Sequence, residues 1–508
     1  MTRPKKIKNA LISVYYKEGL EKVVNKLNSL GIQLYSTGGT EQFIKDLGFE
    51  VNAIENLTDY PSIFGGRVKT LHPKVFGGIL ARRGHDGDEQ QLVAFDIPEI
   101  DLVIVDLYPF EETLRETDDQ EEIIEKIDIG GISLIRAAAK NFNDVCIISS
   151  RTEYAELLEI LESSKGFTDL HQRFKFAAKA FNVSSNYDTA IFNYFNEEIG
   201  LPVFKHSEQG AQLLRYGENP HQAGTYYGNL NELFTKLSGK DLSYNNLVDI
   251  DAAIQLIDEF SEPTFAIIKH TNACGIASAK DLEIAWEKAL SADPISAFGG
   301  VLICNRILDE KTATLINHLF FEILIAPGFE NAALTLLKTK KNRNILQLHP
   351  HGKAIKQFKS LLNGIIEQDS DLNSEAESEM QNVSNTIANE KEIKDLIFAF
   401  KVAKHTKSNT IVLAKNEQML ASGVGQTSRI DALEQAISKA KKFGFNLNGA
   451  VMASDAFFPF PDCVEIAHHA GIKAVVQPGG SIKDSDSINF CNENNMAMVM
   501  TGIRHFKH

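Results

Sequence analysis

The stretch Asp101-Leu102-Val103-Ile104-Val105-Asp106-Leu107 decides the fold class. Its apolar residues run between two aspartates without polar alternation, the pattern of a parallel strand covered on both faces. The same reading extends outward. Asn9-Ala10-Leu11-Ile12-Ser13-Val14 is a buried strand, Leu20 to Leu30 has helical spacing stopped by Gly31, and Ile32-Gln33-Leu34-Tyr35 is another strand. Glu41 to Leu47 predicts a helix closed by Gly48, and Val145-Cys146-Ile147-Ile148 a further strand. Strand and helix alternate, so this part reads as α/β with an open parallel sheet.

Gly200-Leu201-Pro202 ends a long helical stretch from Tyr187 to Ile199 and sets a boundary near residues 200–207. Beyond it the alternation resumes at Phe265-Ala266-Ile267-Ile268, Val301-Leu302-Ile303-Cys304, Ile323-Leu324-Ile325, Ile411-Val412-Leu413-Ala414, Ala450-Val451-Met452 and Ala474-Val475-Val476. The interval Ser360 to Glu390 has seven acids and no Lys or Arg. Its part from Glu367 to Asn389 is rich in Ser, Asn and Glu and suits a solvated loop. The domains expected are 1–203, 204–365 and 390–508, with an acidic linker or loop at 366–389. The two later domains are alike in size and pattern without an exact repeat, which leaves duplication open.

At about 150 residues per domain, 508 residues also give roughly three domains. Lys plus Arg total 52 against 67 for Asp plus Glu, a net charge of −15. That balance argues against a nucleic-acid partner. It leaves room for small anions, which a local cluster of cations can attract. No apolar run reaches the roughly 18 residues of a membrane span, and Met1-Thr2-Arg3-Pro4-Lys5-Lys6 leads into no signal-peptide core. Five cysteines without a Cys-x-x-Cys pair predict neither structural zinc nor a disulfide framework. The expectation is a cytoplasmic enzyme or binder of small molecules.

Several segments carry chemistry. Ser36-Thr37-Gly38-Gly39-Thr40 follows a strand and opens a helix, so its free N–H groups form an anion site or a plain turn with Thr40 as N-cap. Gly65-Gly66-Arg67-Val68-Lys69-Thr70-Leu71-His72-Pro73 gathers cations on a glycine-rich loop. Tyr108 sits at the carboxyl end of the best strand, where open α/β sheets bind ligands. Asp128 precedes Gly130-Gly131 and a helix bearing Arg136 and Lys140 on one face. Arg215-Tyr216-Gly217-Glu218-Asn219-Pro220 is a polar turn. Lys269-His270-Thr271-Asn272-Ala273-Cys274 follows a strand: a neutral imidazole beside an ammonium is a good general base, and a plain surface Lys-His pair is the alternative. Cys274 invites a nucleophile reading against the commoner buried thiol. Ser422-Gly423-Val424-Gly425-Gln426-Thr427-Ser428-Arg429 matches no nucleotide fingerprint. Ala453-Ser454-Asp455-Ala456-Phe457-Phe458-Pro459 walls a flat ring or packs an edge. Arg504-His505-Phe506-Lys507-His508 ends the chain, where termini usually fray.

Together, and in order, these segments resemble the bifunctional family that joins AICAR transformylase (phosphoribosylaminoimidazolecarboxamide formyltransferase) to IMP cyclohydrolase. Gln477-Pro478-Gly479-Gly480-Ser481 adds to the match. The resemblance implies an N-terminal cyclohydrolase with a methylglyoxal-synthase-like fold and a transformylase of two cytidine-deaminase-like units without zinc. The sequence lacks the His-x-Glu and Pro-Cys-x-x-Cys zinc signatures. It implies 10-formyltetrahydrofolate as co-substrate, AICAR and FAICAR as the other small molecules, no catalytic metal, and a homodimer with transformylase sites between subunits. For transfer it implies His270 as base, with Lys269 and Asn409 at the reacting groups, and Arg215, Tyr216, Arg429, Phe458, Arg504 and His508 as substrate contacts. For ring closure it implies Lys69, Tyr108, Asp128 and Lys140 as catalytic groups. Ser13, Lys17, Ser36, Thr37, Gly38, Gly39, Thr40, Arg67 and Thr70 would hold that substrate. A straight helix sets Lys140 about 18 Å from Asp128, so either the helix is broken or one of the two lies outside the reacting centre. Departures from the family pattern are Tyr15-Tyr16 after the first strand, Phe76 where His is common, and Ala273 in place of Pro. Two other readings stand beside this one: an amidohydrolase using Cys274 and His270, and an allosteric nucleotide-binding protein.

Overall fold

A computed structural model describes residues 4–64, 67–374 and 377–508. The chain divides between Glu208 and Gln209 into two compact units. In the first, five parallel strands stand in the order Asn52–Ala53, Gln33–Ser36, Asn9–Ser13, Leu102–Val105, Cys146–Ile148. The sheet is entered at its middle strand, the chain winds out to one edge, and it returns to the other side at Leu102–Val105. Strand order therefore reverses between Asn9–Ser13 and Leu102–Val105, and such a switch point leaves a crevice beyond the strands' carboxyl ends. Leu102–Val105 is buried along its whole length, as its unbroken apolar run requires.

The last helix of this unit starts at Leu170, not Tyr187, and runs to Ile199. Its early turns bury Phe176, Ala177 and Ala180, but intervening Arg and Lys residues mask that stripe in the sequence. Asp169 and Gln172 form a capping box at its start, and Gly200 closes it at φ 68°.

The second unit holds two six-stranded sheets. One has the order Phe234–Ser238, Asn344–Leu348, Ile323–Ala326, Val301–Cys304, Thr264–Lys269, Asn272–Ser278. The other runs Gln381–Asn382, Ala497–Met500, Ala474–Gln477, Val451–Ser454, Ile411–Ala414, Met419–Gly423. Corresponding neighbours are parallel or antiparallel alike in both. The helices correspond too: Tyr244–Ile257 and Glu390–Lys404 precede the two hairpins, and Leu282–Ala292 and Arg429–Lys442 follow them. The topology is thus duplicated, which the sequence left open. The outer hairpin strands meet where Ala277 bridges Gln418 and the Ser278 N–H donates to the Glu417 carbonyl at 2.9 Å. Ile250, Ile254 and Ile257 share one buried cluster with Leu396, Phe398 and Val402.

The acidic stretch is not all loop. Gly364–Asp369 pairs antiparallel with Lys356–Leu361, because the β-branched pair Ile365-Ile366 supplies strand propensity that a charge count conceals. No helix among the described residues is long and apolar enough to cross a membrane.

Candidate functional site

A cavity of about 560 Å³ occupies the crevice at the switch point of the first unit. Ser13, Lys17, Thr37, Gly39, Thr40, Arg67, Lys69, Thr70, Tyr108 and Asp128 line it. The Gly65-Gly66 pair lies outside the described residues.

The helix Gly38–Asp46 aims its N-terminus here, with Thr37, not Thr40, as its N-cap. A Cβ on Gly38 would stand 3.2 Å from the Lys69 ammonium. An ammonium facing the positive end of a helix is unfavourable until an anion sits between them. The hydroxyls expected to help are committed elsewhere. Ser36 is fully buried and donates to the Ile12 carbonyl at 2.7 Å, so its side chain is structural and does not reach the cavity. Thr40 donates to the Val14 carbonyl at 2.9 Å, and Thr37 donates to Glu55 Oε1 at 2.9 Å. The turn therefore leaves its backbone N–H groups as the donors an anion could use.

Tyr15-Tyr16 does not cost the loop its polar contacts. Asp106 accepts the backbone N–H groups of both residues, which any side chain permits. The Tyr16 hydroxyl donates to Glu112 at 2.6 Å, and Arg151 lies 4.2 Å over its ring. Lys17 Nζ donates to the Val14 and Tyr15 carbonyls, and burial lowers its pKa. Arg67 is ion-paired with Glu125. Lys69 makes no hydrogen bond or ion pair among the described residues. Phe76 is half-buried against the core.

Asp128 sits one residue before the helix cap and accepts the Gly131 N–H at 2.6 Å. A Cβ on Gly131 would lie 2.4 Å from its carboxylate, so glycine is required there. The Asp128 N–H donates to the Tyr187 hydroxyl at 2.8 Å, which fixes the turn. Burial, the largest cause, raises the Asp128 carboxyl above the usual carboxylate range. The Tyr108 ring is 39% exposed and meets Tyr15 edge-on at 5.7 Å. Burial and then the Asp128 charge raise its phenol. Lys140 does not join them. The helix Gly130–Lys140 is unbroken, so Lys140 lies at its far end, about 15 Å along the axis from Gly130.

In the second unit, His270 and Thr271 are the tip of a two-residue hairpin, since Lys269 pairs with Asn272 across it. Their φ values are 51° and 65°. Hairpin tips with two positive φ values favour Asn-Gly, and a β-branched residue there is strained. Asp249 holds the tip by accepting the Thr271 N–H at 2.7 Å. Lys269 Nζ donates to the Phe298 and Gly299 carbonyls at 2.8 and 3.1 Å. Asn272 Oδ1 accepts the Lys407 N–H at 2.9 Å, which brings the segment of Asn409 to the hairpin. Asn409 exchanges backbone bonds with Gln426 and donates its amide to the Gln426 carbonyl at 2.9 Å.

The C-terminal segment does not fray. Lys507 and Ser408 exchange hydrogen bonds at 2.9 Å, and His505, 1% exposed, donates its N–H to the Asp455 carbonyl. Arg504 and Arg429 lie 4.5 and 5.8 Å over the Phe506 ring, whose centre is 5.7 Å from His508. Arg429 also stands 3.6 Å from the fully buried Asp455. Arg215 donates to the Tyr216 hydroxyl at 2.8 Å, and the Tyr216 carbonyl accepts the N–H of Tyr244, the first residue of the helix that carries Asp249. Phe458 is a correction: its ring is fully buried in the core and offers no wall to a ligand.

Cys274 is buried, its thiol donates to the Ile267 carbonyl at 3.4 Å, and burial pushes its pKa up to about 12. A thiol held protonated is no nucleophile. Cys274→Ser is therefore expected to leave every activity of the chain, measured as initial rates, close to that of the parent. Among the described residues, no group of three His, Cys, Asp or Glu side chains is placed to hold a metal. Sequence reasoning assigned no role to Asp106, Asp249 or Asp455. All three act on residues distant in the chain; Asp106, at the end of the apolar strand, and Asp455, within a segment singled out above, carried a local signal, and Asp249 carried none.

A family model described as "AICARFT/IMPCHase bienzyme" matches residues 138–439, and one described as "MGS-like domain" matches residues 19–133. The chain is 57% identical over 508 residues to "Bifunctional purine biosynthesis protein PurH" of Bacteroides thetaiotaomicron, covering 100% of both chains. It is 46% identical to the protein of that name from Acetivibrio thermocellus, covering 99% of this chain and 100% of the other. A solved chain titled "Crystal structure of ForH" is 34% identical and covers 37% of this chain and 96% of its own, with a TM-score of 0.34.

Proposed function

The chain belongs to the AICARFT/IMPCHase bienzyme family, and from that premise we propose which residues carry each of its two activities. It is a bifunctional enzyme of purine biosynthesis, an AICAR transformylase and IMP cyclohydrolase that performs the last two steps to IMP. Our reading takes the cavity at the switch point as the cyclohydrolase site and the Lys269–His270 hairpin as the centre of the transformylase site. It takes 10-formyltetrahydrofolate as the formyl donor, the cytoplasm as the compartment, and a homodimer as the working form, with transformylase sites between subunits. In the same reading the first domain ends near residue 203, while the limits at 365 and 390 shift, because 365 divides the hairpin of Lys356–Leu361 with Gly364–Asp369 and Gln381–Asn382 is already a strand of the second sheet.

Formyl transfer makes the 5-amino group of AICAR attack the formyl carbon. That amine is conjugated with the imidazole and its carboxamide, so it is a poor nucleophile that needs a base and close positioning. His270 accepts the amine proton, directly or through the carboxamide. Lys269 stabilises the charge that develops on the formyl oxygen or assists the departing folate nitrogen. Asn409 contacts the reacting groups, and Arg215 and Arg504 hold the nucleotide phosphate through their planar forks. Tyr216, Arg429 and His508 complete the contacts.

Ring closure joins the carboxamide nitrogen to the formyl carbon of the same molecule, and water leaves. The site has to fold the substrate and stabilise an oxyanion. The helix start at Thr37, Gly38 and Gly39 receives the phosphate, with Lys69 beside it. Tyr108 and Lys69 donate to the developing oxyanion, and Asp128 accepts the amide proton. Aromatic closure then draws the preceding transfer forward. The gathering of Lys69, Tyr108 and Asp128 around one cavity supports this reading most, because an allosteric nucleotide binder needs the phosphate site but not these three.

Asp128 must be ionised to accept a proton, and burial raises its pKa. The acid limb of the cyclisation pH–rate profile is therefore expected above the ordinary aspartate value of about 3.9, with activity lost as pH falls through it. Asp128→Asn should remove that limb along with most of the rate. A limb that survives in the variant would reassign the base. The direct test of the whole reading supplies purified protein with AICAR and 10-formyltetrahydrofolate and follows IMP absorbance. FAICAR should cyclise without folate.

A further inference from the structure

Duplication gives the hairpin tip of the proposed transformylase site a counterpart. Asn416 and Glu417 take positive φ values of 55° and 52°, as His270 and Thr271 do. Asp395 accepts the N–H groups of Asn416 and Glu417 at 2.8 and 2.6 Å, and it stands sixth in its helix, as Asp249 does. Lys415 occupies the place of Lys269: its ammonium donates to the Asn448 carbonyl, just before Gly449 at φ 72°. Lys269 does the same at Phe298, just before Gly299 at φ 69°. The scaffold is retained, while asparagine replaces the histidine of the tip.

A cavity of about 790 Å³ opens on this second tip. It is lined by five lysines, Lys280, Lys288, Lys391, Lys394 and Lys401. The lining carboxylates are Glu262, Asp395 and Glu417, and both oxygens of Asp395 are already engaged by the tip. Lys288 and Lys401 are fixed by the Asn416 and Glu259 carbonyls at 2.9 and 2.7 Å. Lys391 and Lys394 are exposed, and their ammonium groups make no hydrogen bond or ion pair among the described residues. Lys280 pairs with Asp281 at 4.0 Å and Glu417 faces Lys394 and Lys288, yet five lysines against three carboxylates leave the lining cationic in a chain of net charge −15.

We propose that this cavity is a second, non-catalytic site that binds a small molecule carrying two or more negative charges. The tip lacks the imidazole to which the transfer step is assigned, so the site binds and does not transfer. The shared chemistry is clustered phosphate or carboxylate, and two probes separate the sources. Isothermal titration calorimetry at low ionic strength, with the intact protein and either inorganic pyrophosphate or citrate, reads the site. Binding of at least one probe is expected. Lys391→Glu/Lys394→Glu should remove one binding event per chain or weaken it about tenfold. Lys441→Glu/Lys442→Glu makes the same charge change at exposed positions away from the cavity and should retain it. Pyrophosphate alone binding identifies a phosphate-bearing ligand, citrate alone a carboxylate-bearing one, and both a site that reads charge. IMP formation without either probe reports that the variants are folded. An isotherm unchanged in Lys391→Glu/Lys394→Glu, equal loss in both variants, or no binding of either probe overturns the proposal.

Discussion

Replacing His270 with alanine is expected to lower formyl transfer by about 10²–10⁴-fold, the range for removing a positioned general base, and to leave FAICAR cyclisation at the parental rate. The tip is strained: two residues hold positive φ values that neither His nor Thr prefers. Strain of this kind persists only where neighbours over-determine it. Asp249, Asn272 and Lys269 do so through bonds to the tip and to the Phe298–Gly299 backbone. The substitution removes the imidazole and leaves those bonds, so the hairpin should keep its shape. Initial rates with AICAR and 10-formyltetrahydrofolate test it, with cyclisation of supplied FAICAR as the internal control. Near-parental transfer in the variant would remove His270 from the mechanism.

Lys69→Ala should produce the opposite separation. Removing one preorganised donor to an oxyanion costs about 10²–10³-fold, and Lys69 is the cation of its cavity without a protein partner among the described residues, whereas Arg67 is paired with Glu125 and Lys17 with backbone carbonyls. Its ammonium also lies beside the helix start at Gly38, so substrate affinity and turnover should fall together. Formyl transfer should be untouched. Steady-state kinetics on FAICAR separate the two parameters. Undiminished cyclisation would mean that the helix start and Tyr108 suffice.

Local pattern carried most of the first unit. Unbroken apolar runs at Asn9 to Val14 and Asp101 to Leu107 mark buried parallel strands, and the groups at their carboxyl ends line the cavity. What stayed hidden is long-range. The bonds of Asp249 to Thr271 and of Asp106 to the Tyr15-Tyr16 backbone join residues far apart in sequence. The hairpin at His270-Thr271 defies turn preference, so no turn signal announces it. The ends of the helix Gly130–Lys140 decide against Lys140, because a continuous helix cannot bring both its termini to one cavity. Burial of Phe458 and anchoring of the C-terminal segment depend on partners that spacing does not reveal. Duplication is written in the order of strands, while the paired hairpin tips Lys269-His270-Thr271-Asn272 and Lys415-Asn416-Glu417-Gln418 share only the lysine.

If one chain holds two chemically separate sites, and the intermediate passes between them through solution, mixing the two variants restores the sequence of reactions. Lys69→Ala protein given AICAR and 10-formyltetrahydrofolate should accumulate FAICAR, with IMP forming about 10²–10³-fold more slowly than in the parent, followed by chromatography. Adding His270→Ala protein, itself unable to start from AICAR, should convert that FAICAR to IMP. IMP formed at the parental rate by either variant alone, or no IMP from the mixture while FAICAR is present, would contradict the account.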